Sequence, residues 1–299
     1  MWHRRLEFHN LGFVRPITTP VLTEKMRCAN YPTLDNHVRL SNGTVINADW
    51  VTDNLILTQA PPPAAFLDFW CMVLEFNIDT VVCLAQPDAP NQLNVYWPPH
   101  GSTMQLGGDD VHVSTITEFQ VGSFVHRTML VADRAHGTCI AVKHVHMLNW
   151  QDGGVPQLYE VQHLNEFIDH SAHVTLIHCG AGVGRAGTLA AIQMLRRAPT
   201  GIVDPFSVVA ELRTRRVGAV HTLQQYMFVC EFSEIEHRRR HHHGPVQRVP
   251  DQEVALGHVP APTTAQSSDD LDLQTVRGTP PPPAEPDRTT SAVPARTAE

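Results

Sequence analysis

No apolar run in the 299 residues approaches the ~20 that a membrane helix needs, so no membrane-spanning segment is expected. The opening MWHRRLEFHN carries charges with no apolar stretch behind them, so no secretory leader is expected either. A basic excess is also missing. Lys and Arg total 22 against 30 Asp and Glu, and a net charge of −8 argues against a general nucleic-acid binder. Six cysteines (Cys28, Cys71, Cys83, Cys139, Cys179 and Cys230) lie scattered without paired spacing. Together these absences point to a reducing intracellular compartment, cytoplasmic with a nuclear location left open. What is present is ample apolar content, 42%, for a packed core, on a length that allows one large domain or two small ones.

The chain is organised around Val174 to Leu195, VTLIHCGAGVGRAGTLAAIQML. A β-branched apolar run leads in, as in a buried strand. Gly180, Gly182 and Gly184 follow, and after Arg185 the sequence becomes rich in Ala and Leu at helical spacing. A strand, a glycine turn and a helix N-terminus converge backbone N–H groups and a positive dipole end on one point, which suits an anion. Cys179 enters that point and Arg185, whose planar fork matches two phosphate oxygens, leaves it. A thiol so placed is set up to react as thiolate, a nucleophile inside a phosphate cradle.

The segment HCGAGVGRAG resembles the signature loop of the classical, tyrosine-specific protein tyrosine phosphatase family. Four further stretches resemble that family in the expected order: TQAPPPAAFLDFWCMVLEFN (Thr58 to Asn77), YWP (Tyr96 to Pro98), WQDGGVP (Trp150 to Pro156) and LRTRRVGAVHTLQQYMF (Leu212 to Phe228). The matches run roughly from residue 25 to 235. The resemblance implies a non-receptor, single-domain α/β phosphatase with a central twisted mixed sheet flanked by helices. It implies that Cys179 attacks phosphorus while Arg185 and the backbone of Gly180, Ala181, Gly182, Val183 and Gly184 hold the phosphate. Asp152 would protonate the leaving tyrosyl oxygen and Gln225 would position water. Tyr31 would stack on the substrate ring, although the segment from Tyr31 to Asp35 is shorter than usual, which bears on strict tyrosine selectivity. No cofactor or metal is implied, and a monomer acting on phosphotyrosine proteins is expected. The chain departs from the family pattern at Gly180, at Gln151 (usually proline), at His221 (usually glutamine) and at Ala186. The family usually has a Ser or Thr hydroxyl after the signature arginine, which helps sulfur leave. Its absence predicts a slow second step.

The remaining elements follow from periodicity. Strands are expected at Thr44 to Val51, Leu55 to Gln59, Asp79 to Ala85 and Cys139 to Leu148, and two more in VHVSTITEFQ and SFVHRTMLVAD. Helices are expected at Ala64 to Asn77, Val155 to Ser171, Asp204 to Arg216 with an Asp-Pro start, and His221 to Phe232. His144 and His146 share a strand face, a weak metal signal without a third ligand at recognisable spacing. Residues 1 to 24 read as a partly ordered lead-in, 25 to 237 as the catalytic domain, and 238 to 299 as a disordered tail rich in Pro, Thr and Ala. Within that tail Pro280 to Pro283 suits a proline-reading domain, and the run HRRRHHH suits acidic surfaces or a nuclear signal. Two rival readings stay open: a phosphotyrosine-binding module with weak turnover, and a phosphatase of wider range acting on phosphoserine, lipid or RNA 5′-phosphates.

Overall fold

The computed structural model describes residues 2–12, 23–25, 37–86, 93–198 and 204–242, all within one compact unit. Its frame is a nine-stranded mixed sheet: β1 (His37–Arg39), β2 (Val45–Thr52), β3 (Leu55–Gln59), β4 (Ile78–Cys83), β5 (Thr103–Leu106), β6 (Val111–Val121), β7 (Phe124–Asp133), β8 (Thr138–Met147) and β9 (Val174–Cys179). The spatial order is β1-β2-β3-β9-β4-β8-β7-β6-β5. Strands β3, β9, β4 and β8 run parallel in the centre, and antiparallel strands extend both sides.

The period of two along the central strands decides which layer each residue joins. Ile56, Val81 and Leu176 pack under α2 (Phe66–Glu75), whereas Leu57, Val82 and Ile177 face the opposite layer. That second layer holds α3 (Leu158–Asp169), α4 (Arg185–Arg197), α5 (Pro205–Arg215) and α6 (Leu223–His242). Central strands covered on both faces read as unbroken apolar runs, which is why DTVVCLA and VTLIHC are legible as buried strands. The start of α5 is as its sequence predicts: Asp204 accepts from Phe206 N and Ser207 N, with Pro205 in the first turn.

Two boundaries differ from the composition. The N-terminal lead-in contains a helix, α1 (Trp2–Asn10). Glu7 accepts from Tyr226 Oη at 2.9 Å, Phe8 packs beside the Tyr226 ring, and Arg213 donates to Gly12 O, so tertiary contacts order a segment with little pattern of its own. At the other end, the change in composition at Arg238 does not end the last helix, which runs to His242 rather than Phe232. Glu236 holds Arg239 and Arg240, and the Arg240 guanidinium donates to the carbonyls of Leu195, Arg196 and Ala198. Those oxygens end α4 without helical partners, so the arginine run satisfies a neighbouring helix terminus. The tail from residue 243, with Pro280 to Pro283, lies outside the described residues, as do Cys28 and Tyr31.

Candidate active site

Strand β9 lies between β3 and β4 and delivers Cys179 to the carboxyl edge of the parallel strands. In open α/β sheets this edge is where crevices form. The loop from Gly180 to Gly184 then turns directly into α4, whose N-cap is Gly184.

The direction of the loop amides follows from where its carbonyls go. Ala60 N donates to the carbonyls of Cys179 (2.8 Å) and Gly180 (3.0 Å). Arg216 donates to Ala181 O through Nη2 (3.0 Å) and to Gly182 O through Nε (3.2 Å). Val183 O accepts from Val220 N and Gly187 N. Each of these trans peptide units holds its N–H opposite its C=O. With five successive carbonyls tied to the surrounding protein, the amides of Gly180, Ala181, Gly182, Val183 and Gly184 face away from those ties, at the head of α4. The arrangement is an anion nest completed by a helix dipole.

Gly182 has φ +75°, and a Cβ there would lie 2.1 Å from Thr58 O. The neighbouring strand's backbone therefore admits glycine alone. Gly182→Ala is expected to lower stability by more than ~2 kcal/mol and to abolish phosphate-analogue binding, read by thermal melts with and without vanadate. An alanine variant that still gains stability from vanadate would refute this account of the loop.

Arg185 is buried, and donates from Nη1 to Trp150 O at 3.0 Å. Its Nη2 lies 3.3 Å from Asp152 Oδ1, a carboxylate otherwise largely exposed. The loop carrying Asp152 is anchored by the buried Trp150 ring, whose Nε1 donates to Gly154 O. From the far side, Thr222 Oγ1 donates to Gly153 O and Gln225 Nε2 to Gly154 O. Gly153 has φ +72°, which this turn requires. Gln151 O accepts from Gly154 N.

Gln225 is fully buried, and its Oε1 accepts from the amides of His221 and Thr222. Its Nε2 stands 3.2 Å from where a Cβ on Gly184 would be, so the carboxamide borders the loop directly. His221 also borders Gly184, through its Cβ. Ala186 is buried at the first turn of α4, where Thr188 Oγ1 is turned back onto Gly184 O. The structure thus brings Cys179, the 180–184 loop, Arg185, Asp152 and Gln225 around one point.

Two residues important to that point went unread. Arg216 and Asp49 form a buried ion pair, Nη1 to Oδ2 at 2.6 Å, and Asp49 Oδ1 also meets His37 Nδ1 at 3.0 Å. In the run Arg213, Arg215, Arg216 a solvated helix end is the simple reading. The three-residue spacing of Arg213 and Arg216 was the available signal, since it places both on one face, and both are buried.

His144 and His146 do not form a joint ligand pair. His146 Nε2 donates to Ala85 O at 2.8 Å, whereas His144 Nε2 meets Tyr96 Oη at 3.2 Å. Tyr96 Oη also lies 2.6 Å from His178 Nε2. Cys83, His144 and His178 cluster closely, but the Tyr96 hydroxyl engages both imidazoles. Burial pushes the Cys83 thiol up to about 12. Burial pulls His146 down to about 4 from its ordinary 6.5, with Arg127 adding to the shift against the Ala85 hydrogen bond. Above pH 6.5 the imidazole is neutral in both folded and unfolded chains. Between pH 6.5 and 4 only the unfolded chain takes up the proton, so native stability falls across that window, by roughly 3 kcal/mol from this group. Melting temperature should drop as pH falls through this range, and His146→Gln should flatten the drop; an unchanged slope would place its source elsewhere.

A family model described as protein-tyrosine phosphatase matches residues 22–233. Among curated proteins, the rat phosphatidylinositol phosphatase PTPRQ is 30% identical over 206 residues, covering 64% of this chain and 9% of its own. The chicken receptor-type tyrosine-protein phosphatase eta is 30% identical over 215 residues, covering 65% of this chain and 15% of its own. The chain thus spans only a small part of the length of the curated relatives it matches. Among solved structures, the catalytic domain of human protein tyrosine phosphatase non-receptor type 18 matches with TM-score 0.68 at 23% identity, covering 79% of this chain and 97% of that one. The same phosphatase in complex with HER2-pY1196 phosphopeptides also gives 0.68, at 22% identity, covering 78% and 92%. These likenesses establish the fold, a mixed sheet flanked by helices.

Proposed function

The chain belongs to the protein-tyrosine phosphatase family, and from that premise we propose that it hydrolyses phosphotyrosine in proteins through a phosphocysteine on Cys179. The observation that carries the reading is the outward tie of five successive carbonyls, which turns the intervening amides toward the head of α4 beside Cys179 and Arg185. A dianionic phosphate bound there has its equatorial oxygens on the loop amides and the Arg185 fork. The Cys179 sulfur forms a bond to phosphorus as the bond to the tyrosyl oxygen breaks. Asp152 gives its proton to that oxygen, so a neutral phenol leaves. Water, placed by Gln225, then attacks phosphorus; the P–S bond breaks, Asp152 takes the water's proton, and inorganic phosphate departs. The cradle supplies the positive field that a cation would otherwise provide.

The departures at Ala186 and His221 bear on the second half-reaction. With no hydroxyl at position 186 to steady the departing sulfur, phosphocysteine should accumulate. A rapid-quench time course on a phosphotyrosine peptide is expected to show a burst of product near one equivalent per chain, with acid-trapped phosphate on Cys179. A linear trace with no trapped phosphate would count against both the mechanism and the slow step.

One observation favours a second reading. The rat and human PTPRQ relatives are named phosphatidylinositol phosphatases, so a phosphoinositide belongs beside phosphotyrosine and phosphoserine peptides in the rate comparison. The phosphotyrosine peptide is expected to be fastest. A reducing, cytoplasmic setting fits a nucleophilic thiol, and the five described cysteines are all free. Pro280 to Pro283 would serve as the handle for a proline-reading partner.

A further inference from the structure

Away from the catalytic crevice, strand β7 and helix α3 each present one histidine to the other. His126 Nε2 and His163 Nε2 share a hydrogen bond at 3.1 Å, with their rings at 75° to one another. Phe119 stacks on the His126 ring, Phe124 lies 4.3 Å from the His163 ring centroid, and Phe167 flanks His126. Both imidazoles are half-buried in this aromatic box, which fixes where their nitrogens point. An open cavity beside the pair is lined by His163, Ser123, Gln162 and Glu166. Glu166 follows His163 by three positions and so shares its helix face, with an exposed carboxylate.

We infer that His126 and His163, with Glu166 swinging in as third ligand, form a binding site for a divalent transition metal of the zinc class. A metal bonded at ~2.05 Å to both nitrogens would subtend roughly 100° across the observed gap, close to the tetrahedral angle of zinc sites. Two imidazoles and one carboxylate, with water in the fourth position, is a donor set that zinc accepts. Ligation through both Nε2 atoms requires each ring neutral with its proton on Nδ1, so the metal takes the place of the hydrogen bond between them. The strand–helix pair is joined independently through Glu160, which accepts from Ser123 Oγ, so the two histidines meet on a prebuilt scaffold. The site does not depend on the phosphatase reading.

Zinc binding to the full chain can be measured by calorimetry in a Cys179→Ser background, which removes a competing thiol. The terminal histidine run binds alike in every variant, so the readout is the difference between variants. His126→Ala and His163→Ala are each expected to lose one zinc per chain, and Glu166→Gln to weaken that site about tenfold. Melts in chelator establish that the variants fold. Unchanged zinc stoichiometry in folded His126→Ala and His163→Ala chains would overturn the proposal. Should the alanine variants fail to fold, zinc-edge anomalous diffraction from soaked crystals decides: a peak within bonding distance of both Nε2 atoms supports the site, and an empty map there overturns it.

Discussion

Replacement of Cys179 by serine is expected to reduce phosphotyrosine hydrolysis by at least ~10⁴-fold while leaving phosphopeptide affinity within about threefold. The reasoning separates nucleophile from cradle. Serine keeps the loop: the five carbonyl ties run through Ala60, Arg216, Val220 and Gly187, and none involves the Cys179 side chain. The phosphate would still meet the same amides and Arg185. What disappears is the sulfur nucleophile, and a hydroxyl in the same place is a far weaker one. The loss corresponds to ~5.5 kcal/mol of transition-state stabilisation with little change in ground-state binding. Single-turnover rates and calorimetry on the same peptide read the two quantities separately. Equal rates for the serine variant and the parent would mean that Cys179 does no chemistry, and the chain would then stand as a capture module.

Asp152→Ala is expected to lower kcat on a phosphotyrosine peptide by roughly 10²- to 10⁴-fold, the range of a positioned general acid. The effect should depend on the leaving group. A tyrosyl oxygen is strongly basic and needs a proton as its bond to phosphorus breaks. An aryl phosphate whose phenol is already acidic needs far less help, so the same variant should lose no more than about tenfold on it. The carboxylate rests 3.3 Å from Arg185 Nη2, on a loop whose position is set by the buried Trp150 and not by Asp152 itself. Removing the side chain therefore removes a proton donor without freeing the loop. A uniform loss on both substrates would instead indicate that Asp152 positions Arg185.

Much of the site was legible because its residues are close in sequence. Cys179, the glycines and Arg185 lie within seven positions, and a strand followed by a glycine turn and a helix has few ways to fold. The central strands and α2 to α5 followed from periodicity, since burial on one or two faces writes itself into residue spacing. The parts that escaped depend on partners far along the chain. Helix α1 exists through Tyr226 and Arg213, some two hundred residues away. Arg216 stands in a run of three arginines, and its partner Asp49, from β2, lies far from it in sequence. The extension of α6 rests on Arg240 meeting the end of α4. The facing of His126 and His163 needed the packing of α3 on β7, which neither element's own pattern reveals.

The hydrogen bonds from Thr222 and Gln225 to the carbonyls of Gly153 and Gly154 bind two segments with different duties. A swing of the loop carrying Asp152 away from the crevice must break both bonds, and the Gln225 carboxamide then loses one of its anchors. On the proposed mechanism, departure of the first product and admission of water would thereby be put on a single clock. A chain caught with the loop swung out would then keep its phosphorylated sulfur intact, so a slow return of that one short segment would add to the missing hydroxyl at position 186 in prolonging the covalent state.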